Sequence, residues 1–228
     1  MQTGLKFSGW QRRQKPIFQV VWVYLFARRR SMSIALVLTL ARIGLSPIFL
    51  LVYLYYEMLG ISFVFLPYFL MLLLAISEIS DFLDGYLARK RNQVTDLGKL
   101  LDPMADSIFR LSVFFTFTHG VIQLPLILVF ALFYRDSLVS TLRTLCALRG
   151  VTLAARFSGK IKAVVQALSA LFILGLMIPY SLGHLSLALL QQLSAVSAFI
   201  AALYTLYSGA EYVYANHGYI KKALSRSA

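Results

Sequence analysis

Residues 81–106 read DFLDGYLARKRNQVTDLGKLLDPMAD, a polar stretch between strongly apolar segments. Two pairs of aspartates frame this stretch: Asp81 and Asp84 are three residues apart, and Asp102 and Asp106 are four apart. The chain has only 9 Asp and Glu in 228 residues, so the stretch holds a large share of them. On helices, each pair falls on one face. Carboxylates near membrane depth are costly and usually functional, so these four predict a divalent metal site.

The residues between the two pairs predict how the pairs meet. Gly85 suits a helix end, Gly98 a tight turn and Pro103 a helix start. Two helix ends would then point their carboxylates at one another. Such carboxylates need a counter-charge, and Mg²⁺ or Mn²⁺ supplies one with a preference for oxygen ligands. Two ions would suit a diphosphate. The alternative is that these are capping and loop acids at a solvated membrane face.

The composition of the chain indicates an integral membrane protein. The chain is 59% hydrophobic and 14% charged, with a mean hydropathy of +0.74. A soluble domain could not bury that much apolar surface. We predict an all-α fold, a bundle of six transmembrane helices with a metal site on the cytoplasmic side. The predicted helices span about 34–56, 61–81, 102–118, 122–145, 161–180 and 185–207, with 214 as an alternative end for the last.

Charge sorts the predicted connections into two groups. The connections near 57–61, 119–121 and 181–184 contain no Lys or Arg. Basic residues are frequent in the N-terminal arm, the 89–99 segment, the 143–162 segment and the C-terminal tail. In a soluble protein a net charge of +13 would suggest nucleic acid, but in a membrane protein it fits the positive-inside rule, and we predict no nucleic-acid partner. The rule places both termini and the aspartates on the cytoplasmic side.

The two ends of the chain are predicted to flank the membrane domain of residues 31–214. Residues 1–30 are basic, and their apolar patch is short and followed by arginines, which does not fit a signal peptide. We predict an amphipathic arm on the cytoplasmic membrane face. Residues 215–228 are predicted to be a basic cytoplasmic tail. Cys146 is the sole cysteine, which excludes an internal disulfide.

The aspartate stretch carries a resemblance to a known family. It reads Asp81-x-x-Asp84-Gly85-x-x-Ala88-Arg89, eight residues, then Gly98-x-x-x-Asp102-x-x-x-Asp106. This pattern resembles the signature of the CDP-alcohol phosphotransferases at every fixed position. The resemblance implies six transmembrane helices and a homodimer. It also implies a group-transfer reaction, in which a CDP-activated lipid is cleaved at its diphosphate, CMP is released, and the phosphatidyl group is transferred to a hydroxyl.

The resemblance also implies roles for individual residues. Asp81, Asp84, Asp102 and Asp106 would be ligands of two Mg²⁺ or Mn²⁺ ions, with Asp106 also the general base. Gly85 would let the nucleotide approach the backbone, Ala88 would leave room for it, and Arg89 would pair with the diphosphate. The nucleotide and diphosphate site as a whole would comprise Asp81, Gly85, Ala88, Arg89, Gly98 and Thr39.

Further stretches resemble one branch of the family, the bacterial phosphatidylglycerophosphate synthases. They are the segment 38–43 followed by Pro47, the Asp-Pro-x-Ala-Asp version of the motif at 102–106, and the segments 135–143 and 157–166. This resemblance implies CDP-diacylglycerol and glycerol 3-phosphate as substrates, in the cytoplasmic membrane of a bacterium. The chain departs from the branch at Ser33 and Ala35, where Asn and Pro are usual, and at Ser107, where a lysine is usual. It also has Asp136 in place of Glu and Ala163 in place of Thr.

A group of cations predicts a phosphorylated acceptor. Arg135, Arg143, Lys160 and Lys162 lie at or near the predicted cytoplasmic ends of the fourth and fifth helices, and arginine and lysine suit a phosphate. Arg42, inside the first helix, joins the predicted acceptor-phosphate site. The alternative for the four cations is ordinary positive-inside flanking, and for Arg42 it is snorkelling toward the basic face.

Three other functions stay open at this point. A cardiolipin synthase of the same fold would use phosphatidylglycerol as acceptor, and a phosphatidylinositol-phosphate synthase would use a phosphorylated inositol. A cation transporter would instead place acids near the bilayer midplane on several helices, along a path open to both sides. The aspartates cluster at one predicted end, beside cations, which disfavours a transporter. His119, His184 and His217 are scattered singly, which disfavours a zinc site.

Overall fold

The structure, a computed structural model, describes the backbone of residues 34–90, 96–148 and 156–225. Side chains are described for residues 37, 39–80, 104–146 and 156–221. The predicted N-terminal arm lies outside the described residues. So do the side chains of the whole motif from Asp81 to Asp102, although the backbone of most of it is described.

Six α-helices make up the secondary structure of the described residues, which confirms the predicted all-α fold and number of helices. They are α1 (Ile34–Tyr55), α2 (Leu66–Lys90), α3 (Asp96–Thr116), α4 (Leu126–Leu148), α5 (Phe157–Ser181) and α6 (Leu187–Ser225). The first five have 21 to 25 residues, whereas α6 has 39 and is about 58 Å long at 1.5 Å per residue. Helix α6 therefore passes the predicted end at 214 and includes most of the predicted tail.

The predicted breaks around the aspartate motif are wrong. Gly85 lies inside α2 and does not end it, and Gly98 is the third residue of α3 rather than part of a turn. Pro103 is the eighth residue of α3 rather than its start. Most of the predicted 89–99 loop is helical as well. A glycine costs a helix only about 1 kcal/mol and a proline about 3 kcal/mol, and packing along the rest of a long helix can outweigh such local preferences.

The helices pack as two groups of three. Helix α1 lies against α2 and α3, and α6 lies against α4 and α5. Contacts of α2 with α5, and of α3 with α4 and α5, join the groups. An aromatic cluster fills the contact of α1 with α3: the ring of Phe49 lies 6.2 Å from that of Phe109 and 6.1 Å from that of Phe117, both edge to face.

A tight loop fixes the non-basic end of α3 against α1. The Tyr53 hydroxyl donates a hydrogen bond of 2.9 Å to the carbonyl oxygen of His119. Gly120 follows with φ +68°, and a Cβ atom there would lie 2.7 Å from the Tyr53 hydroxyl oxygen. Only glycine combines that backbone conformation with so close an approach.

The polarity of the bundle is that of a membrane protein. Every helix exposes large apolar side chains, for example Leu51, Leu72, Phe115, Ile127, Leu168 and Ile200. Charged and polar side chains instead lie inside, among them Arg42, Arg110, Asp136, Lys162 and Gln166. Helices α5 and α6 contain segments long and apolar enough to cross a bilayer, and α1 and α2 contain shorter apolar segments, Thr39–Tyr55 and Leu66–Ser80. Outward apolar faces and buried polar groups suit a bundle in lipid.

Candidate active site

Asp106 lies between two arginines where α1, α2 and α3 meet. Arg42 on α1 donates from Nη1 to Asp106 Oδ1 at 2.9 Å. Arg110, one turn after Asp106 on α3, donates from Nη2 to Asp106 Oδ2 at 2.6 Å. Arg110 Nε also lies 3.6 Å from Oε1 of Glu78 on α2. We call these four residues the Asp106 cluster. Its two guanidinium groups are buried, while the carboxylates of Asp106 and Glu78 are partly accessible, which leaves the cluster open to a ligand.

The other aspartates of the motif lie on the same two helices as Glu78 and Asp106. Asp81 and Asp84 lie on α2, and Glu78 lies one turn before Asp81. Asp102 lies one turn before Asp106 on α3. Because α2 and α3 are continuous helices through these positions, each pair shares one helix face, as predicted. Among the residues with described side chains, no three His, Cys, Asp or Glu come together; Asp81, Asp84 and Asp102 lie outside that set.

The remaining predicted nucleotide-site residues differ in how far the structure describes them. Gly85, Ala88 and Arg89 lie on α2 and Gly98 lies on α3, all outside the residues with described side chains. Thr39 is fully buried on α1, one turn before Arg42. Thr39 and Arg42 therefore follow one face of α1, the face that bears the contact with Asp106.

A second buried cluster joins α4, α5 and α6, and we call it the Asp136 cluster. Lys162 on α5 donates from Nζ to both carboxylate oxygens of Asp136 on α4, at 2.7 and 2.8 Å. Arg135 donates from Nη1 to Asp136 Oδ1 at 3.1 Å and from Nη2 to Ser208 Oγ on α6 at 2.8 Å. Among the described residues of this cluster, one carboxylate thus faces two cations, so the cluster carries one positive charge in excess. Arg135 Nε has no hydrogen-bond partner among the described residues.

The position of Arg135 corrects one prediction. Arg135 is the tenth residue of α4, near its middle, rather than at its end, and it packs against Gly209 so closely that a Cβ atom there would lie 2.7 Å from Arg135 Cγ. The predicted span of 122–145 already placed Arg135 well before the end of the helix, so its assignment to that end was wrong. Ordinary flanking therefore does not explain Arg135, since a flanking cation would reach headgroups and not the helix interior.

The other predicted acceptor-site cations lie in different surroundings. Arg143, in the last two turns of α4, places its Cζ atom 5.8 Å from the ring centre of Tyr212 on α6. Lys160, in the first turn of α5, is exposed. Arg42 lies in the Asp106 cluster and not in the Asp136 cluster. Helices α3 and α5, which carry Arg110 and Lys162, contact each other.

Sequence reasoning missed two residues of these clusters, Arg110 and Ser208. Arg110 carries a usable signal, because an arginine four residues after an aspartate on an apolar helix forms an i,i+4 pair with it. Ser208 carries none, since a serine of α6 becomes a partner of Arg135 only when α4 and α6 pack together. Asp136 was known only as a departure from the family pattern; the structure makes it the counter-ion of two cations.

The outward apolar faces and the two buried ionic clusters define the class as a helical membrane protein with a polar site inside its bundle. Residues 32–212 match the family model described as CDP-alcohol phosphatidyltransferase, and the chain belongs to this family.

Known enzymes of similar sequence are consistent with this family. The chain is similar to the CDP-diacylglycerol–glycerol-3-phosphate 3-phosphatidyltransferase of Rickettsia typhi, at 34% identity over 62% of this chain and 76% of the relative. It is similar to the enzyme of the same name from Bacillus subtilis, at 31% identity over 77% of this chain and 90% of the relative. It also resembles a CMP-forming cardiolipin synthase of Streptomyces coelicolor, at 39% identity over 48% of this chain and 49% of the relative.

Proposed function

We propose that this protein transfers the phosphatidyl group of CDP-diacylglycerol to glycerol 3-phosphate, giving phosphatidylglycerol phosphate and CMP in phospholipid biosynthesis. Family membership supports the reaction class, and the names of the Rickettsia and Bacillus relatives support both substrates. The observation that carries the choice of acceptor is the excess positive charge of the Asp136 cluster. A buried cation without a full counter-charge favours a phosphorylated acceptor over a neutral or cationic alcohol.

The acceptor phosphate would bind the cations of α4 and α5. Arg135 Nε is buried and makes no hydrogen bond among the described residues, so it has a donor left for a phosphate oxygen. Arg143 and Lys162 would add charge, while the exposed Lys160 would attract the anion from solvent. Arg42, given its contact with Asp106, would act where the acceptor hydroxyl meets the donor phosphate rather than at the far phosphate.

Asp106 would be the base. The hydroxyl oxygen of the acceptor attacks the phosphorus that bears the diacylglycerol, its proton passes to an Asp106 carboxylate oxygen, and the bond to CMP breaks with its electron pair on the CMP phosphate. Arg89 would pair with the diphosphate, with Gly85, Ala88, Gly98 and Thr39 shaping the nucleotide site. Arg42 and Arg110 hold the Asp106 carboxylate at both oxygens, which limits its rotation.

The donor set of the motif fits two divalent cations. Asp81, Asp84, Asp102 and Asp106 offer only carboxylate oxygens, from one face of each of two contacting helices, and hard cations such as Mg²⁺ and Mn²⁺ take such ligands. When bound, these ions would neutralise the diphosphate and the charge that develops on the leaving CMP.

Location and assembly follow from the same proposal. We infer that all six helices cross the cytoplasmic membrane, with both termini and the active site on the cytoplasmic side, that the protein contacts membrane lipids through its outer faces, and that it forms a homodimer. The loops at 56–65, 117–125 and 182–186 contain no Lys or Arg, and Glu57 is their one acidic residue. By the positive-inside rule, this supports the end of the bundle that carries these loops as the outer one.

Acceptor assays test the function directly. Purified protein with CDP-diacylglycerol and Mg²⁺ should release CMP with glycerol 3-phosphate and not with phosphatidylglycerol or inositol phosphate. Chelation of the metal should stop the reaction. Asp106→Asn should still bind the nucleotide and lose turnover, whereas full activity of that variant would remove Asp106 from the base role.

The second candidate function is cardiolipin synthesis, which the Streptomyces relative favours. CMP release with phosphatidylglycerol alone would establish it and would overturn the proposed acceptor. Arg135→Gln separates the two further: it should impair a reaction with glycerol 3-phosphate most strongly at low acceptor concentration.

A further inference from the structure

Arg110 contacts a carboxylate oxygen of Asp106 to which a metal ion would also bind. It donates to Asp106 Oδ2 at 2.6 Å while Arg42 donates to Oδ1 at 2.9 Å, so both oxygens of the carboxylate are engaged by guanidinium groups. A cation that binds either oxygen meets the positive charge of the arginine already there. Arg42 is almost fully buried on another helix. Arg110 has a second carboxylate within reach.

That second carboxylate is Glu78. Its Oε1 atom lies 3.6 Å from Arg110 Nε, beyond hydrogen-bond distance but within ion-pair distance. Arg110 Nε makes no hydrogen bond among the described residues, so this donor is available to Glu78. Glu78 is about one-third exposed, which leaves its side chain room to move. A small rotation of the guanidinium would exchange a bond to Asp106 for one to Glu78.

We propose that Arg110 and Glu78 are positioning residues for Asp106: Arg110 holds the carboxylate in place before a divalent cation binds, and Glu78 accepts Arg110 when the cation takes Asp106 Oδ2. This inference rests on the proposed function in that Asp106 is a metal ligand. The new element is that Arg110 competes with the metal ion for Asp106, and that Glu78 reduces this competition by binding Arg110.

Substitutions of Arg110 and of Glu78 should change the Kd for Mn²⁺ in opposite directions. Arg110→Gln removes the competitor, so the Kd for Mn²⁺ should fall roughly threefold or more, the scale of a partly buried ion pair. Glu78→Gln leaves Asp106 as the one carboxylate paired with Arg110 among the described residues, so the Kd should rise by about as much. A bridge that only joins α2 to α3 would give changes of the same sign, because either substitution breaks it. Arg110→Lys keeps the competing charge and should bring the Kd back to within about twofold of that of the unaltered protein.

A double variant separates this mechanism from simple charge effects. Removing Glu78 also removes a negative charge from the neighbourhood, which by itself weakens cation binding. If Glu78 acts through Arg110, Glu78→Gln in the Arg110→Gln background should change the Kd little. If Glu78 acts by its own charge or as a ligand, the two effects will add, and the proposal is overturned.

The experiment is a Mn²⁺ titration of the full-length protein in detergent, without substrate, with free Mn²⁺ measured by electron paramagnetic resonance. Glu211→Gln is the control, since it removes a carboxylate on α6 that pairs at 2.9 Å with Arg156, the residue just before α5, and its Kd for Mn²⁺ should be unchanged. The proposal is supported if the two single substitutions shift the Kd for Mn²⁺ in opposite directions and if adding Glu78→Gln to Arg110→Gln changes the Kd little. It is overturned if the two single shifts have the same sign or if they add in the double variant. If Arg110→Gln does not fold, an unchanged or lower Kd in Glu78→Gln is sufficient to overturn it. Loss of Mn²⁺ binding in the unaltered protein itself would overturn the metal site of the proposed function as well.

Discussion

Lys162 and Asp136 form the most completely buried ion pair among the described residues, with Nζ 2.7 and 2.8 Å from the two carboxylate oxygens. Their helices, α4 and α5, are not among the strongly packed pairs, and each packs mainly on α6. The pair therefore links the two helices across the polar interior. Asp136 also contacts Arg135, so a single carboxylate sets the position of two predicted acceptor-binding cations.

Removing that carboxylate should be costly. Asp136→Asn leaves Lys162 and Arg135 buried with no counter-ion among the described residues, and loss of one partner of a buried pair typically costs about 3 kcal/mol or more. Thermal unfolding in one detergent should show a large fall in Tm. Glu211→Gln is the matched control, because it breaks the more exposed pair with Arg156 and should therefore lower Tm much less. Equal Tm values for the two variants would contradict the assigned role of Asp136.

The residues of α6 that contact Arg135 should control the affinity for the acceptor, glycerol 3-phosphate. A Cβ atom at Gly209 would lie 2.7 Å from Arg135 Cγ, so Gly209→Ala must displace that side chain. We expect the KM for glycerol 3-phosphate to rise about tenfold, the effect of losing one charged hydrogen bond. Ser208→Ala, which removes the hydroxyl that accepts from Arg135 Nη2, should have a similar but smaller effect.

Gly218→Ala is the control for this prediction, because Gly218 lies on the same helix with nothing within 4 Å of a Cβ atom. It should leave both KM values unchanged. The KM for CDP-diacylglycerol should stay within about twofold in all three variants if Arg135 serves only the acceptor. A rise confined to CDP-diacylglycerol would place Arg135 at the donor instead.

The sequence predicted the helices and the shared face of each aspartate pair because both depend on local spacing. Six long apolar runs and the spacings of three and four residues suffice for them. It failed at Gly85 and Pro103, where local turn preference was read as a helix boundary although packing carries α2 and α3 through both residues. The partners of Arg135 could not be predicted, since Ser208 is 73 residues away and meets it only through the contact of α4 with α6.

The loop after α3 gives a test of packing without reference to activity. Gly120 and Gly60 both have positive φ, +68° and +70°, but only Gly120 would place a Cβ atom against another group, the Tyr53 ring. Gly60→Ala should therefore show only the backbone cost, about 1 kcal/mol. Gly120→Ala should show that cost plus the clash and the weakened bond of Tyr53 to His119, and so a clearly lower Tm. Equal losses would mean that the loop yields to the added methyl group.

The contact of Arg143 with Tyr212 tests whether an aromatic ring helps to hold an acceptor-site cation. Tyr212 is buried, Arg143 Cζ lies 5.8 Å from its ring centre, and the hydroxyl has no hydrogen-bond partner among the described residues. Tyr212→Phe keeps the ring and removes an unsatisfied polar atom, so Tm should be unchanged or slightly higher and the KM for glycerol 3-phosphate unchanged. Tyr212→Leu keeps apolar volume but loses the cation–π attraction, about 0.5 to 2 kcal/mol, and should raise that KM severalfold. If Tyr212→Phe raises the KM as much as Tyr212→Leu, then the hydroxyl and not the ring positions the arginine.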